Sequence, residues 1–187
     1  MKCLRLAVLL VVAACLCGCS HTGIDTDLKH YLNSGHKIDE AAADFLPALE
    51  SLSEYESLFY QHYSVTGFFC TDSLLLEVGY DELTYAAEKE TLSSYCYLDH
   101  AVPDEDGDGY LLPEYAFTLG RYYFRVVETD GNEQDVYPHY FGMIGTSDES
   151  RSIAWLYFYD QDLDIISEDP EGSVADFVTR NFPYDWQ

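Results

Sequence analysis

The chain has 187 residues, 34 of them Asp or Glu against 9 Lys or Arg, for a formal net charge of -25 at neutral pH. A field of that sign repels DNA, RNA and anionic lipid surfaces, so direct nucleic-acid binding is excluded and cations or basic partners are favoured. With 48% hydrophobic residues the chain is long enough for one ordinary core and short for two.

In chain order, Lys2 and Arg5 precede an apolar run from Leu6 to Leu16 that ends in small residues. This is the layout of a secretory signal, and the run is too short to remain across a bilayer. At its end, Leu16-Cys17-Gly18-Cys19 resembles the lipobox of bacterial lipoproteins, with Cys17 where alanine or serine is commoner. The resemblance implies that residues 1–18 are a signal peptide that is removed. It also implies that Cys19 becomes the first residue and carries the acyl chains, palmitate among them, and that the protein is lipid-anchored on the extracytoplasmic face of the cell membrane. Two or more acyl chains suffice for stable anchoring where one does not. Residues 19–37 contain Gly23, Asn33, Ser34 and Gly35 with scattered charges and little periodicity, and are expected to be a tether. That leaves 38–187 as a single extracytoplasmic domain.

Ile38, Ala41, Ala42, Phe45, Leu49 and Leu52 recur at helical spacing, and Pro47 divides them into two short helices. The aromatics from Glu56 to Val65 favour a strand, Phe68 to Tyr80 reads as another, and Asp81 is placed to cap a helix running to about Tyr95. From Tyr115 to Ile166, YAFTL, RYYFRVV, YPHYFGMIG and SIAWLYFY alternate with turn formers, which predicts a four-stranded meander. Ile153 to Tyr159 is apolar on both faces and is expected at the middle of the sheet, whereas Arg121 and Arg125 alternate with apolar residues as on a strand with one wet face. Ser173 begins a capping pattern for a closing helix that ends before Pro183, and Trp186 is expected to be a core anchor. The whole reads as an α+β fold, a mainly antiparallel sheet with a C-terminal β-meander and helices packed on one face.

Once the leader is gone and Cys19 is lipidated, Cys70 and Cys96 are the remaining cysteines, and they either pair as a disulfide or stay as two buried thiols. The disulfide would follow if the helix after Asp81 joined parallel neighbouring strands. His62, His100 and His139 lie far apart and form no metal-binding spacing. Asp99 and His100 are adjacent, which on a strand would send them to opposite faces. The 17 tyrosines serve either as sugar-stacking platforms, Tyr122, Tyr123, Tyr157 and Tyr159 among them, or as amphipathic core residues, and the core role is expected.

Asp104, Asp106, Asp108, Gly109 and Leu111 resemble the start of an EF-hand or dockerin calcium loop. That resemblance implies ligands from Asp104, Asp106 and Asp108 and from the Tyr110 backbone, with Glu114 one place early for the bidentate acid and Tyr115 in its place. Calcium affinity, if built this way, would be weak, and a solvated acidic turn between strands is the simpler expectation. No nucleophile elbow or phosphate loop occurs. The sequence therefore points to a non-catalytic binding or accessory module for a basic protein, a peptide or a cell-envelope ligand. A cell-envelope hydrolase using carboxylates near Asp99 to Asp108 and a calcium-dependent adhesion or structural module are the alternatives.

Overall fold

A computed structural model describes residues 21–31, 38, 40–66, 70–103, 110–112, 114–128, 140–160 and 173–187. Strands β1 (His21–Asp25), β2 (Ser57–Thr66), β3 (Cys70–Gly79), β6 (Ala116–Leu119), β7 (Tyr122–Val127), β8 (Tyr140–Ser147) and β9 (Ser152–Asp160) form one sheet in the order β1-β2-β3-β9-β8-β7-β6. Every pairing in it is antiparallel. A separate ribbon pairs β4 (Val102–Pro103) with β5 (Tyr110–Leu112). The helices are α1 (Glu40–Phe45), α2 (Glu82–Thr91) and α3 (Val174–Asn181), with 3-10 turns at Leu49–Ser51 and Leu92–Ser94.

The meander β6-β7-β8-β9 lies where the alternation predicts it, and β9 takes the central position with seven of its first eight residues buried. On β7 the alternation also holds: Tyr122, Phe124 and Val126 point into the core while Tyr123 and Arg125 face water. Asp81 caps α2 by accepting from the Leu83 and Thr84 amides at 2.9 and 3.1 Å, and Ser173 caps α3 by accepting from the Asp176 amide at 3.1 Å.

Two expectations are corrected. Helices do not cover one face only, because both faces of the central strands are apolar and each needs a layer against it. On one side α3 brings Val174, Phe177, Val178 and Phe182 onto Leu75, Phe124, Phe141, Leu156 and Phe158. On the other side α1, α2 and the 3-10 turn after α2 bring Ala42, Phe45, Tyr85 and Leu92 onto Leu74, Leu76, Trp155 and Tyr157. Nor do residues 21–31 form a tether: β1 pairs with β2 from His21↔Thr66 to Asp25↔His62, and the helical turn that follows buries Tyr31 among core residues. Tyr31 donates to the Pro47 carbonyl at 2.6 Å and meets the Tyr60 ring edge-on at 5.4 Å. Period-2 alternation is lost in β1 because an edge strand of polar residues and glycine needs no apolar face of its own.

The C-terminal residues close one end of the sheet. Trp186 packs edge-on against Phe124, Tyr122 and Tyr184 at centroid separations of 5.6, 6.1 and 4.8 Å. Arg121 Nη1 donates to the Gln187 carbonyl at 2.7 Å. Gly120, at φ 55°, is where this docking demands glycine, since a Cβ there would stand 1.5 Å from the Trp186 carbonyl oxygen. Gly120→Ala is expected to cost about 3 kcal/mol, combining the left-handed backbone with loss of Trp186 packing. A thermal melt reads this as a midpoint about 6–12 °C lower; a midpoint unchanged within experimental error would refute the tight seating of the C-terminal residues.

Candidate functional site

Residues of β7 and β8 form the floor of an open cleft beside α2 and the 3-10 turn that follows it. Its lining includes Lys89 and Leu92 from the helical layer, Tyr97, Tyr123 and Arg125, and Ile144 from β8, around a volume of about 290 Å³. A second, shallower trough of about 590 Å³ continues past Lys89 to Tyr85, Asp148 and Arg151. Each position has a local cause. Arg125 sits opposite Ala116 of β6 and Ile144 of β8, neither of which offers a charge. Tyr97 is brought beside it by a single bridge to Val127, backed by the Leu98 amide donating to the Val126 carbonyl at 3.0 Å. The Arg125 guanidinium then lies 3.8 Å from the Tyr97 ring centroid, within cation–π range.

Lys89 is held by Asp148 at 2.5 Å, and Asp148 also accepts from the Tyr85 hydroxyl at 2.6 Å. Hydrogen bonds from Lys89 and then Tyr85 hold the Asp148 carboxyl below its usual range, and burial pushes the Tyr85 phenol well up. Arg125 has no carboxylate within ion-pair distance among the described residues. Burial raises the Tyr97 phenol while the Arg125 charge opposes that shift. The arrangement can receive a negative group on a planar cation and an apolar body on aromatic and aliphatic walls.

Two further constellations lie elsewhere. Glu77, 13% exposed, accepts from the Tyr122 and Tyr184 hydroxyls and from Arg121 Nη2 at 3.3 Å. Ser150, Ser152 and Tyr122 extend this network through contacts of 2.7 and 2.6 Å. Its members tie β3, β7, β9 and the C-terminal residues together, which is an architectural role. At the opposite corner His62 meets Asp72 at 2.6 Å, and His30 meets Asp25, the cross-strand neighbour of His62, at 2.7 Å. Distance in sequence hid this grouping of His30 and His62, which the β1-β2-β3 register creates. Among the described residues no group of three or more His, Cys, Asp or Glu is arranged to hold a metal ion.

The residues singled out from sequence fare differently. Cys19, His139, Asp104, Asp106 and Asp108 lie outside the described residues. The flanks of 104–109 are the paired strands β4 and β5, with Tyr110 opening β5. Glu114 accepts from the Val174 amide at 3.2 Å, at the positive N-terminal end of α3. Asp99 and His100 do touch, at 2.6 Å, because residues 98–101 are not a strand, but their side chains are 91% and 72% exposed. Tyr122 and Tyr157 are fully buried, as a core role requires, and Tyr123 is 51% exposed on the wall of the cleft.

The disulfide expectation is corrected. Cys70 and Cys96 are both free thiols, Cys70 half-buried and Cys96 exposed. Cys70 opens β3, whereas Cys96 adjoins Tyr97, which bridges to the far side of β7 from β8, so β9, β8 and β7 intervene. Four inter-strand steps amount to about 19 Å, well outside disulfide reach. The parallel pair that the disulfide requires does not form: both neighbours of β3 are antiparallel to it, and α2 joins no parallel pair.

Sequence reasoning missed Lys89, Arg125 and Arg151 as a group. The available signal was scarcity, since three of only 9 basic residues in the chain line the cleft and the trough that adjoins it at Lys89. Among the described residues no helix is long and apolar enough to cross a membrane. Comparison with protein-family models, with curated proteins and with solved structures finds no match for this chain.

Proposed function

We propose that this protein is a lipid-anchored extracytoplasmic binding module, non-catalytic, with the cleft beside α2 as its ligand site. The observation that carries this role is the stacking of Arg125 on Tyr97 at the cleft wall. A guanidinium stays charged at any physiological pH, and the neighbouring Tyr97 phenol is shifted up, away from neutrality. The guanidinium keeps its charge and the phenol its proton, so both are poorly suited to exchanging protons with a substrate.

The lipobox at Leu16-Cys17-Gly18-Cys19 supports the anchor. With β1 beginning at His21, only Ser20 stands between Cys19 and the sheet, a span of at most about 7 Å. An acylated Cys19 would therefore keep the corner containing His21 and Thr66 next to the bilayer. Arg125 is level, through Ile144, Trp155 and Leu76, with Tyr60 of β2, and β7 is five strands from β1. Six residues along a strand and five strands across give a diagonal of roughly 30 Å between that corner and the cleft.

Cys19→Ala tests the anchor. The wild-type chain is expected in the membrane fraction and the variant in the soluble fraction, with a mass for the wild type that includes the acyl chains. A variant that stays in the membrane fraction, or a wild-type mass without lipid, contradicts the proposal.

A further inference from the structure

The charge of this protein makes its cleft unusual. Acidic residues outnumber basic ones 34 to 9, yet Arg125 has no carboxylate partner among the described residues, while Arg121 is engaged by Glu77 and by the Gln187 carbonyl. An arginine with no carboxylate partner among the described residues, on so acidic a surface, is a place where an anion would be held. The Tyr97 ring takes one face of the guanidinium, and its N–H edges, which meet no carboxylate among the described residues, have the geometry that binds two oxygens of one acid group. Around it stand Tyr123, Leu92 and Ile144, with Lys89 at the cleft's junction with the second trough. A volume of about 290 Å³ is at the small end for ligand sites and suits a ligand of about one ring.

We infer that the cleft binds a small organic anion, a carboxylate or phosphate monoester carried on a single flat apolar ring. The acid group lies on the Arg125 edge and the ring against Tyr123 and Ile144. This inference rests on the cleft being the ligand site, and it adds the ligand's charge and shape. It runs against the long-range field of the protein, which favours cations, because at contact distance an unscreened guanidinium outweighs distant carboxylates that salt screens beyond about 8 Å.

Amide chemical-shift titration of the full chain in nonionic micelles tests this, with phenyl phosphate as probe and inorganic phosphate and benzyl alcohol as comparisons. Phenyl phosphate is expected to shift the amides of Tyr97, Tyr123 and Thr146 with a Kd on the order of 1 mM, typical for a ligand of this size. Inorganic phosphate and benzyl alcohol are each expected to bind at least fivefold more weakly. Arg125→Gln should weaken phenyl phosphate at least fivefold, and Arg125→Lys, which keeps the charge and loses the fork, should fall between. Benzyl alcohol binding as tightly as phenyl phosphate would overturn the anion inference while leaving the cleft a ligand site. Inorganic phosphate binding as tightly would remove the ring from the ligand class. Unchanged affinity in Arg125→Gln would move the acid group elsewhere, and no shift of these amides with any probe would overturn both the inference and the cleft as the ligand site.

Discussion

A chain beginning at Ile38 is expected to melt about 8–16 °C below one beginning at Ser20. The shorter chain loses β1, the buried Tyr31 ring and its hydrogen bond to the Pro47 carbonyl. Removing a buried aromatic side chain costs about 3 kcal/mol, and the five-residue ladder with β2 adds about 1 kcal/mol more. At roughly 2–4 °C per kcal/mol for a domain of this size, that total sets the expected shift. Tyr31→Ala in the longer chain separates the contributions and should account for most of the loss. The truncation also bares the edge of β2, so the shorter chain should self-associate more readily. Differential scanning calorimetry of the two chains decides the matter, and coincident midpoints would restore residues 20–37 to the status of a tether.

Alkaline unfolding is the second large effect, and it follows from where the tyrosines sit. Tyr31, Tyr80, Tyr85 and Tyr122 are each less than 9% exposed, and burial is the first cause holding each phenol above its ordinary value of 10.0. A raised folded-state pKa means that the folded form keeps protons which the unfolded chain releases. The associated stability is complete below pH 10 and is lost as pH rises above it towards the folded values. Each strongly shifted group removes about 1.4 kcal/mol per pH unit in that window, so Tyr31, Tyr80 and Tyr85 together remove about 4 kcal/mol per unit, and Tyr122 adds in the same direction. Against a typical total of about 5–15 kcal/mol, the fold should collapse cooperatively between about pH 10.5 and 12. Near-ultraviolet circular dichroism and phenolate absorbance should change together there. Gradual ionisation centred near pH 10 with the tertiary signal intact would show that these phenols are solvated after all.

What these two results have in common is dependence on contacts between residues distant in sequence. Residues 20–37 have neither helical nor strand periodicity, so their sequence offered no reason to place them in the sheet. β1 forms because β2 presents a free edge, and a free edge is satisfied by backbone groups whatever the side chains are. Tyr31 is likewise buried by its meeting with Tyr60 and Pro47, which no local pattern announces. The same cause separates the two cysteines: their distance depends on the order of strands, and the order followed from antiparallel returns that the helix after Asp81 had wrongly suggested were parallel.

Local pattern was enough where one short-range force dominates. Alternation along Ile153 to Tyr159 and along Tyr122 to Val126 was sufficient to place β9 at the centre and to leave one face of β7 wet, because burial with period two has no other solution. Asp81 and Ser173 marked helix starts because a side-chain oxygen satisfies amide groups within three residues of itself. The α+β class and the antiparallel sheet followed from those elements. Tertiary structure alone decided that helices cover both faces and that Arg125 meets Tyr97 in a cleft that shares Lys89 with the next trough. Alternation could say that Arg125 faces outward. It could not say what stands beside it, since Tyr97 arrives through a single bridge to Val127 and Lys89 is carried on a helix from another part of the chain.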